Sequence, residues 1–146
     1  MRQDNSALDV PFAGKDTAMA VKTLTDDWVI IGPIRIAQHL ASVWHTLAPN
    51  ELTRDGAHWR LNGANIYSSM YANHPWAEWA ATNFENYSWL YFYACDLCDE
   101  YKVRFGPKAA QPVQHGIKTM LSALENAPDC LPDGEWMEPT FAKDIE

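Results

Sequence analysis

The chain is short of basic residues. It has eleven Lys and Arg against nineteen Asp and Glu, which gives a formal net charge of −8 and a pI near 5.0. Proteins that hold duplex DNA mainly by neutralising phosphates need clustered Lys and Arg, so duplex DNA is not an expected partner. The acidic balance suits a small-molecule binder, an enzyme of free nucleotides, or a protein that meets a basic surface.

Cysteines are few and long apolar runs are absent. The cysteines are Cys95, Cys98 and Cys130, too few for a four-cysteine zinc site. An odd number of cysteines and no signal peptide are typical of a reduced, cytoplasmic setting. No apolar run reaches the roughly 20 residues of a membrane span. The sequence therefore predicts a cytoplasmic protein without a membrane segment, and with structural cysteines.

The common catalytic motifs are also missing. The sequence contains no G-x-x-x-x-G-K-[ST], no G-x-G-x-x-G, no G-x-S-x-G and no H-E-x-x-H. His39 and His45 are six residues apart, on poorly matched sides of a helix, and the five histidines have no compact metal spacing, although distant ones could converge in the fold. We expect no metal and no cofactor, and the sequence leaves open whether the protein is an enzyme.

An aromatic-rich stretch, Phe84 to Phe105, organises the rest of the chain. It contains neither Gly nor Pro. Thr82 and Glu85 have the spacing of a capping box at its start, and Gly106-Pro107 is a typical helix end. The pattern predicts one long central helix over about 84–105, inside a single mainly α, compact domain spanning 1–146. Segments 1–15 and 127–146 are expected to be loosely held.

Shorter elements are predicted around this helix from periodicity, caps and turn signals. They are a helix at Thr17–Leu24, a short strand or helix end at Trp28–Ile31, a break at Gly32-Pro33, a helix at Ile34–Leu47, a possible small hairpin within 51–66, a helix from Pro75 to about Ala81 capped by Asn73 or His74, and a final helix at Val113–Asn126.

One face of the central helix mixes polar and apolar groups. At about 100° per residue it carries Asn86, Leu90, Tyr93, Leu97, Glu100 and Arg104. Buried polar groups must be paired, so this face either forms an internal network or lines a pocket. The simpler alternative is a Glu100–Arg104 pair, four residues apart, at a solvated helix end.

The candidate ligand-binding residues are amide, imidazole, carboxylate, phenol and basic side chains set among aromatic rings. They are Gln38, Asn73, His74, Asn86, Tyr93, Glu100, Arg104 and Lys108. Aromatic faces with convergent amides suit a nucleobase, and Arg104 with Lys108 suits a phosphate. Glu100 and His74 are the candidate catalytic residues, as a general acid or base.

The middle of the chain resembles a family of small, uncharacterised tailed-bacteriophage proteins. The resemblance rests on the pattern N-H-P, N-Y-x-W-L and E-Y-x-x-R-[FY]-G. Here it reads Asn73-His74-Pro75, Asn86-Tyr87, Trp89-Leu90, Glu100-Tyr101 and Arg104-Phe105-Gly106. It covers most of residues 16–108, and the family is distantly similar to phage pyrimidine-dimer glycosylases, which are small and helical.

The chain departs from that family before the central helix. Where members carry a D-K-H-V-V-K-M run, this chain has Asp26-Asp27-Trp28-Val29-Ile30-Ile31-Gly32, and Arg35 stands where members have a Glu. The missing histidine, carboxylate and basic groups imply binding without turnover, or another chemistry. The acidic charge also counts against repair of duplex DNA.

Together the residues and the resemblance predict a phage accessory protein in the host cytoplasm. It would bind a nucleotide- or base-like small molecule beside the central helix and so sequester a host defence signal or serve phage nucleotide metabolism. One alternative is an enzyme of nucleotide or DNA-base modification, glycosylase-like or transferase-like. Another is an acidic interaction protein that inhibits a host nucleic-acid enzyme. A host protein partner and a homo-oligomer are left open.

Overall fold

The computed structural model describes residues 9–106 and 112–142, without the side chains of 112–115. Within these residues it has five α-helices and three short strands, so the prediction of a mainly α protein with a small hairpin is confirmed. The elements are α1 (Thr17–Ala20), a 3₁₀ turn (Val21–Thr23), α2 (Asp26–Leu47), a 3₁₀ turn (Pro49–Glu51), β1 (Thr53–Asp55), β2 (His58–Leu61), β3 (Ala64–Ile66), α3 (Pro75–Ala80), α4 (Phe84–Phe105), α5 (Pro112–Leu124) and a 3₁₀ turn (Thr140–Ala142).

The predicted central helix is α4, and its bounds match the prediction. Its N-cap is Asn83, whose side chain accepts the Asn86 N–H at 2.8 Å. The predicted capping box is therefore wrong, because the Thr82 hydroxyl instead donates back to the Glu78 carbonyl at 3.1 Å. Gly106 ends the helix with a φ of 79°, in the left-handed region that favours glycine.

Helix α2 packs along α4 and forms the main layer of the core. The predicted break at Gly32-Pro33 is wrong, since α2 continues through both residues. A proline inside a helix costs roughly 3 kcal/mol, but the apolar stripe of α2 runs on across it, from Val29 to Ile36 and Leu40, all fully buried. Burial of a stripe this long outweighs the lost hydrogen bond.

The absence of a side chain at Gly32 also favours this packing. A Cβ built there would lie 2.7 Å from Leu97 Cδ1 of α4, so a larger residue would require the Leu97 side chain to shift. Gly32 is therefore a point of close contact between α2 and α4 rather than a helix boundary.

The segment between α2 and α3 forms a three-stranded antiparallel sheet in the order β1-β2-β3. Gly56 and Gly63 have positive φ at the two connections, which agrees with the predicted turns. Leu61 and Ile66 are the buried residues of the sheet, and β3 packs on α5. The sheet is a small side layer that closes one end of the helical core.

The end of the described chain crosses α3 and α4. The Phe84 N–H donates to the Pro132 carbonyl at 2.8 Å, and Trp79 Nε1 donates to the Met137 carbonyl at 2.9 Å. Residues 127–142 are therefore attached to the core through their backbone carbonyl groups. Composition, by contrast, suggested a loosely held tail. None of the described helices has both the length and the apolar character needed to cross a membrane.

Candidate functional site

The predicted polar face of α4 is buried, and two of its residues are fully engaged inside the protein. Asn86 Nδ2 donates to the Trp79 carbonyl at 2.9 Å, and its Oδ1 accepts the Met137 N–H at 3.0 Å. The Tyr93 hydroxyl donates to the Pro11 carbonyl, and burial raises the pKa of this hydroxyl. Both side chains join chain segments, and neither has a free group facing a cavity.

Glu100 and Arg104 belong to an ion-pair network, which we call the Glu100 cluster (Lys22, Asp26, Glu100 and Arg104). Arg104 Nε donates to Glu100 at 2.8 Å, and Arg104 Nη1 donates to Asp26 at 3.0 Å. Lys22 lies 3.2 Å from the other Glu100 oxygen. Arg104, followed by Lys22, lowers the pKa of the Glu100 carboxyl below its usual value. The network fastens the start of α2 and the turn before it to the end of α4.

A second polar cluster lies between α2, α3 and the segment that precedes α1. We call it the Asp9 cluster (Asp9, Arg35, His39 and His74). His39 Nε2 is 2.8 Å from Asp9 Oδ2, Arg35 Nε is 3.3 Å from Asp9 Oδ1, and His74 Nε2 is 3.8 Å from Asp9 Oδ2. Asp9 and both histidines are buried, whereas 36% of the Arg35 side chain is exposed. A carboxylate thus lies among three nitrogen-bearing side chains beside a route to solvent.

A surface cleft of about 280 Å³ borders this cluster and is lined by the loop Ser69–Pro75. The Tyr71 hydroxyl accepts a hydrogen bond from Arg35 Nη1 at 2.9 Å, and the Tyr71 N–H donates to Ser42 at 3.2 Å. The Tyr71 ring centre lies 5.2 Å from that of His39. These contacts hold the cleft loop against α2 and connect the Asp9 cluster to the cleft.

Asp9, His39 and His74 also have the composition of a metal site, with one potential ligand atom from each lying within 4.8 Å of the others. The ring hydrogen bonds oppose this role. His74 caps α3 by accepting the Trp76 N–H on Nδ1 at 3.0 Å, so the proton of a neutral ring is on Nε2, the atom that faces Asp9. A metal ligand needs a lone pair on that atom. The arrangement favours N–H groups directed at an anion.

Two buried polar atoms of α2 lack partners within the part of the chain that the structure describes. They are His39 Nδ1, on a fully buried side chain, and Gln38 Oε1. Gln38 reaches the cleft loop through a long contact of 3.9 Å between its Nε2 and the Met70 sulfur. Buried polar atoms without partners are uncommon and costly, so Gln38 Oε1, on a side chain that contacts the cleft loop, marks a place where a ligand could add a hydrogen bond.

The structure separates the predicted ligand-binding residues into groups. Gln38, Asn73 and His74 lie at the cleft. Asn86 and Tyr93 connect the core to other chain segments, and Glu100 and Arg104 lie in the separate ion-pair network. Lys108 lies outside the described residues.

The pattern analysis did not select Asp9, His39 or Tyr71. A signal for His39 existed, because Arg35 and His39 are four residues apart and share one face of the predicted helix. The sequence-based prediction considered His39 only together with His45, as a possible metal pair, and so missed its pairing with Arg35. No local pattern could have indicated that Asp9, far away in sequence, reaches the same place.

No protein-family model, curated protein or solved structure matches the chain.

Proposed function

We propose that the protein binds a small, nucleotide-like anion in the Ser69–Pro75 cleft, with Arg35, Gln38, Tyr71 and His74 as its binding residues. The observation that carries the proposal is the convergence of Arg35, His39 and His74 on a single carboxylate beneath this cleft. Such an environment stabilises a carboxylate or phosphate oxygen through charge-assisted hydrogen bonds.

The groups around the cleft suit a ligand that has both an anionic end and a polar planar part. Gln38 Oε1 can accept a hydrogen bond from an amino or hydroxyl group. Tyr71 supplies an aromatic ring, half-buried at the cleft wall, on which a base can pack. A volume of about 280 Å³ is close to the lower end of small-molecule sites, which favours a mononucleotide or a fragment of one.

The resemblance to tailed-phage proteins gives this proposal a biological setting. In an infected cell, a protein that holds a nucleotide-like anion without turning it over would sequester a host defence signal or buffer a phage nucleotide pool. Arg35 is where relatives of the resembled family have a Glu, and a guanidinium at that position favours an anionic ligand over a cationic one.

The ligand-binding proposal predicts thermal stabilisation by its ligand. Purified protein is heated with inorganic phosphate, nucleoside monophosphates, cyclic nucleotides and free bases, each in excess. A ligand at 100 times its Kd raises the free energy of unfolding by roughly 2.7 kcal/mol. Arg35→Gln should abolish the shift, whereas Arg54→Gln, an exposed arginine of β1, should leave it intact.

Two results would reject this function. One is the absence of any shift across the whole panel. The other is a shift of equal size in Arg35→Gln and in the wild type, which would put the ligand elsewhere. Mass spectrometry of the small molecules released from the denatured protein would identify a ligand that co-purifies.

The enzyme alternative has less support in the geometry. Glu100 is held in the Glu100 cluster with a lowered pKa, which keeps it ionised and paired rather than ready to exchange a proton. Turnover by His74 can be tested with an activity assay on the ligand that the thermal screen identifies.

A further inference from the structure

We propose that Asp9, carried by the segment Asp9–Phe12, is an intramolecular competitor for this site, with its carboxylate in the position that an anionic group of the ligand takes. The inference rests on the proposed function and concerns how the same site is regulated. Binding would require Asp9 to leave Arg35 and His39, so the segment would lower the affinity of the free protein.

The contacts of Asp9 are those expected of a bound anion. Its two oxygens are shared between different donors, Oδ1 towards Arg35 at 3.3 Å and Oδ2 towards His39 at 2.8 Å. A free carboxylate or a phosphate would use its oxygens in the same way. Because Asp9 belongs to the chain, its local concentration at the site is high even if its intrinsic affinity is low.

The segment is attached by side-chain donors of the core, outside any helix or strand. The Val10 carbonyl accepts from Trp76 Nε1 at 2.9 Å, and the Pro11 carbonyl accepts from the Tyr93 hydroxyl. Phe12 packs against Trp89, with ring centres 5.9 Å apart. Backbone contacts of this kind can hold residues 10–12 in place while Asp9 alone swings away from the cluster.

Asp9 also fills the site incompletely. Its carboxylate engages His39 through Nε2, while His39 Nδ1 and Gln38 Oε1 have no partner within the described chain. A ligand with an additional donor could satisfy Gln38 Oε1, which Asp9 leaves unused. This difference would let a suitable ligand displace the carboxylate, whereas a simple anion competes on more equal terms.

The test compares the anion affinity of the wild type with that of Asp9→Asn, which keeps the shape and the acceptor oxygen but removes the charge. Inorganic phosphate and acetate are titrated separately by calorimetry. If Asp9 occupies the site 90% of the time, its removal raises the affinity about tenfold. Asp27→Asn, an exposed carboxylate in the first turn of α2, is the control and should leave the affinity unchanged.

The double variant Asp9→Asn/Arg35→Gln should lose the gain, because the added anion would then lack its guanidinium. Asp9→Ala gives a stronger form of the test: acetate should raise its melting temperature more than that of the wild type, as a replacement for the missing carboxylate. If Asp9→Ala does not fold, the titrations of Asp9→Asn still decide.

Each outcome has a distinct meaning. Equal phosphate affinities for the wild type and Asp9→Asn would overturn the competitor while leaving a nucleotide shift that needs Arg35, and hence the proposed function, intact. A gain that persists in the double variant would overturn it too, because the anion would bind elsewhere. If neither the wild type nor Asp9→Asn responds to phosphate, acetate or any nucleotide, both proposals fail. A preference for phosphate over acetate would identify the phosphate oxygens as the recognised chemistry.

Discussion

Within the described residues, two clusters are built around a buried carboxylate, and they differ in how completely their groups are paired. In the Glu100 cluster, Arg104 donates to Glu100, to Asp26 and to the carbonyls of Val21 and Lys22. In the Asp9 cluster, His39 Nδ1 has no partner among the described residues. In the first cluster both oxygens of the buried Glu100 carboxylate are paired, and the second has unused hydrogen-bonding capacity.

This difference separates a structural role from a binding role. A fully paired network stabilises the positions of its chain segments and gains little from a ligand. A partly paired network keeps buried polar groups without hydrogen bonds, and a ligand that supplies these bonds stabilises the protein. We therefore expect changes in the Glu100 cluster to alter stability without altering ligand binding, and changes in the Asp9 cluster to do the reverse.

The largest loss of stability is expected from Arg104→Gln. The change removes a guanidinium that serves four acceptors and leaves Glu100, which is only 7% exposed, with a single exposed cationic partner. We expect the free energy of unfolding to fall by about 2–4 kcal/mol in urea denaturation. Lys102→Gln, a change at a neighbouring exposed residue, should leave it nearly unchanged. If folded Arg104→Gln no longer binds the ligand, the Glu100 cluster is not purely structural, and the distinction between the two clusters is wrong.

Asn86→Ala should come next. The change leaves the Trp79 carbonyl and the Met137 N–H without their partner, and Asn86 is fully buried. We expect a loss of about 2–3 kcal/mol, whereas Asn50→Ala, at an exposed turn, should have little effect. A loss as small as that of Asn50→Ala would show that residues 127–142 are not held through Asn86.

Glu100→Gln should cost about 1–2 kcal/mol at neutral pH, because Arg104 keeps its other acceptors. The effect should depend on pH with a definite sign. The folded protein lowers the pKa of Glu100 from its usual 4.5, so the stabilisation by the ionised carboxyl is complete above about pH 4.5 and is lost as the pH falls through the lowered value. The stability difference between wild type and Glu100→Gln should therefore shrink in acid. A difference that stays constant from pH 6 to pH 3 would contradict this pairing.

The sequence predicted α4 and α3 well because their signals are local. The long run without Gly or Pro, Gly106 at the end, and Pro75 after His74 are all read within a few residues. The same local reasoning was wrong at Gly32-Pro33, because the packing of Val29, Ile36 and Leu97 decides the course of α2.

The candidate site was harder to predict because it is assembled from distant segments. Periodicity placed Asn86, Tyr93 and Glu100 on one face of the helix, but it left open a solvated helix end for Glu100 and could not tell a paired network from a pocket wall. That distinction depends on the partners Trp79, Met137 and Lys22, which periodicity does not bring together. The Asp9 cluster joins residues 9, 35, 39 and 74, and no single window of the sequence contains them.

The smallest loss of stability in the series is expected from Arg35→Gln, although this change should alter binding the most. Arg35 is partly exposed, so water can replace much of its interaction with Asp9, and His39 still donates to the carboxylate. We expect the free energy of unfolding to fall by no more than about 1 kcal/mol, measured in the same urea series as Arg104→Gln. Two arginines, each beside a buried carboxylate, would then give opposite results in stability and in ligand binding. If Arg35→Gln loses as much stability as Arg104→Gln, both clusters mainly stabilise the fold. The main argument for a ligand in the cleft would then fail.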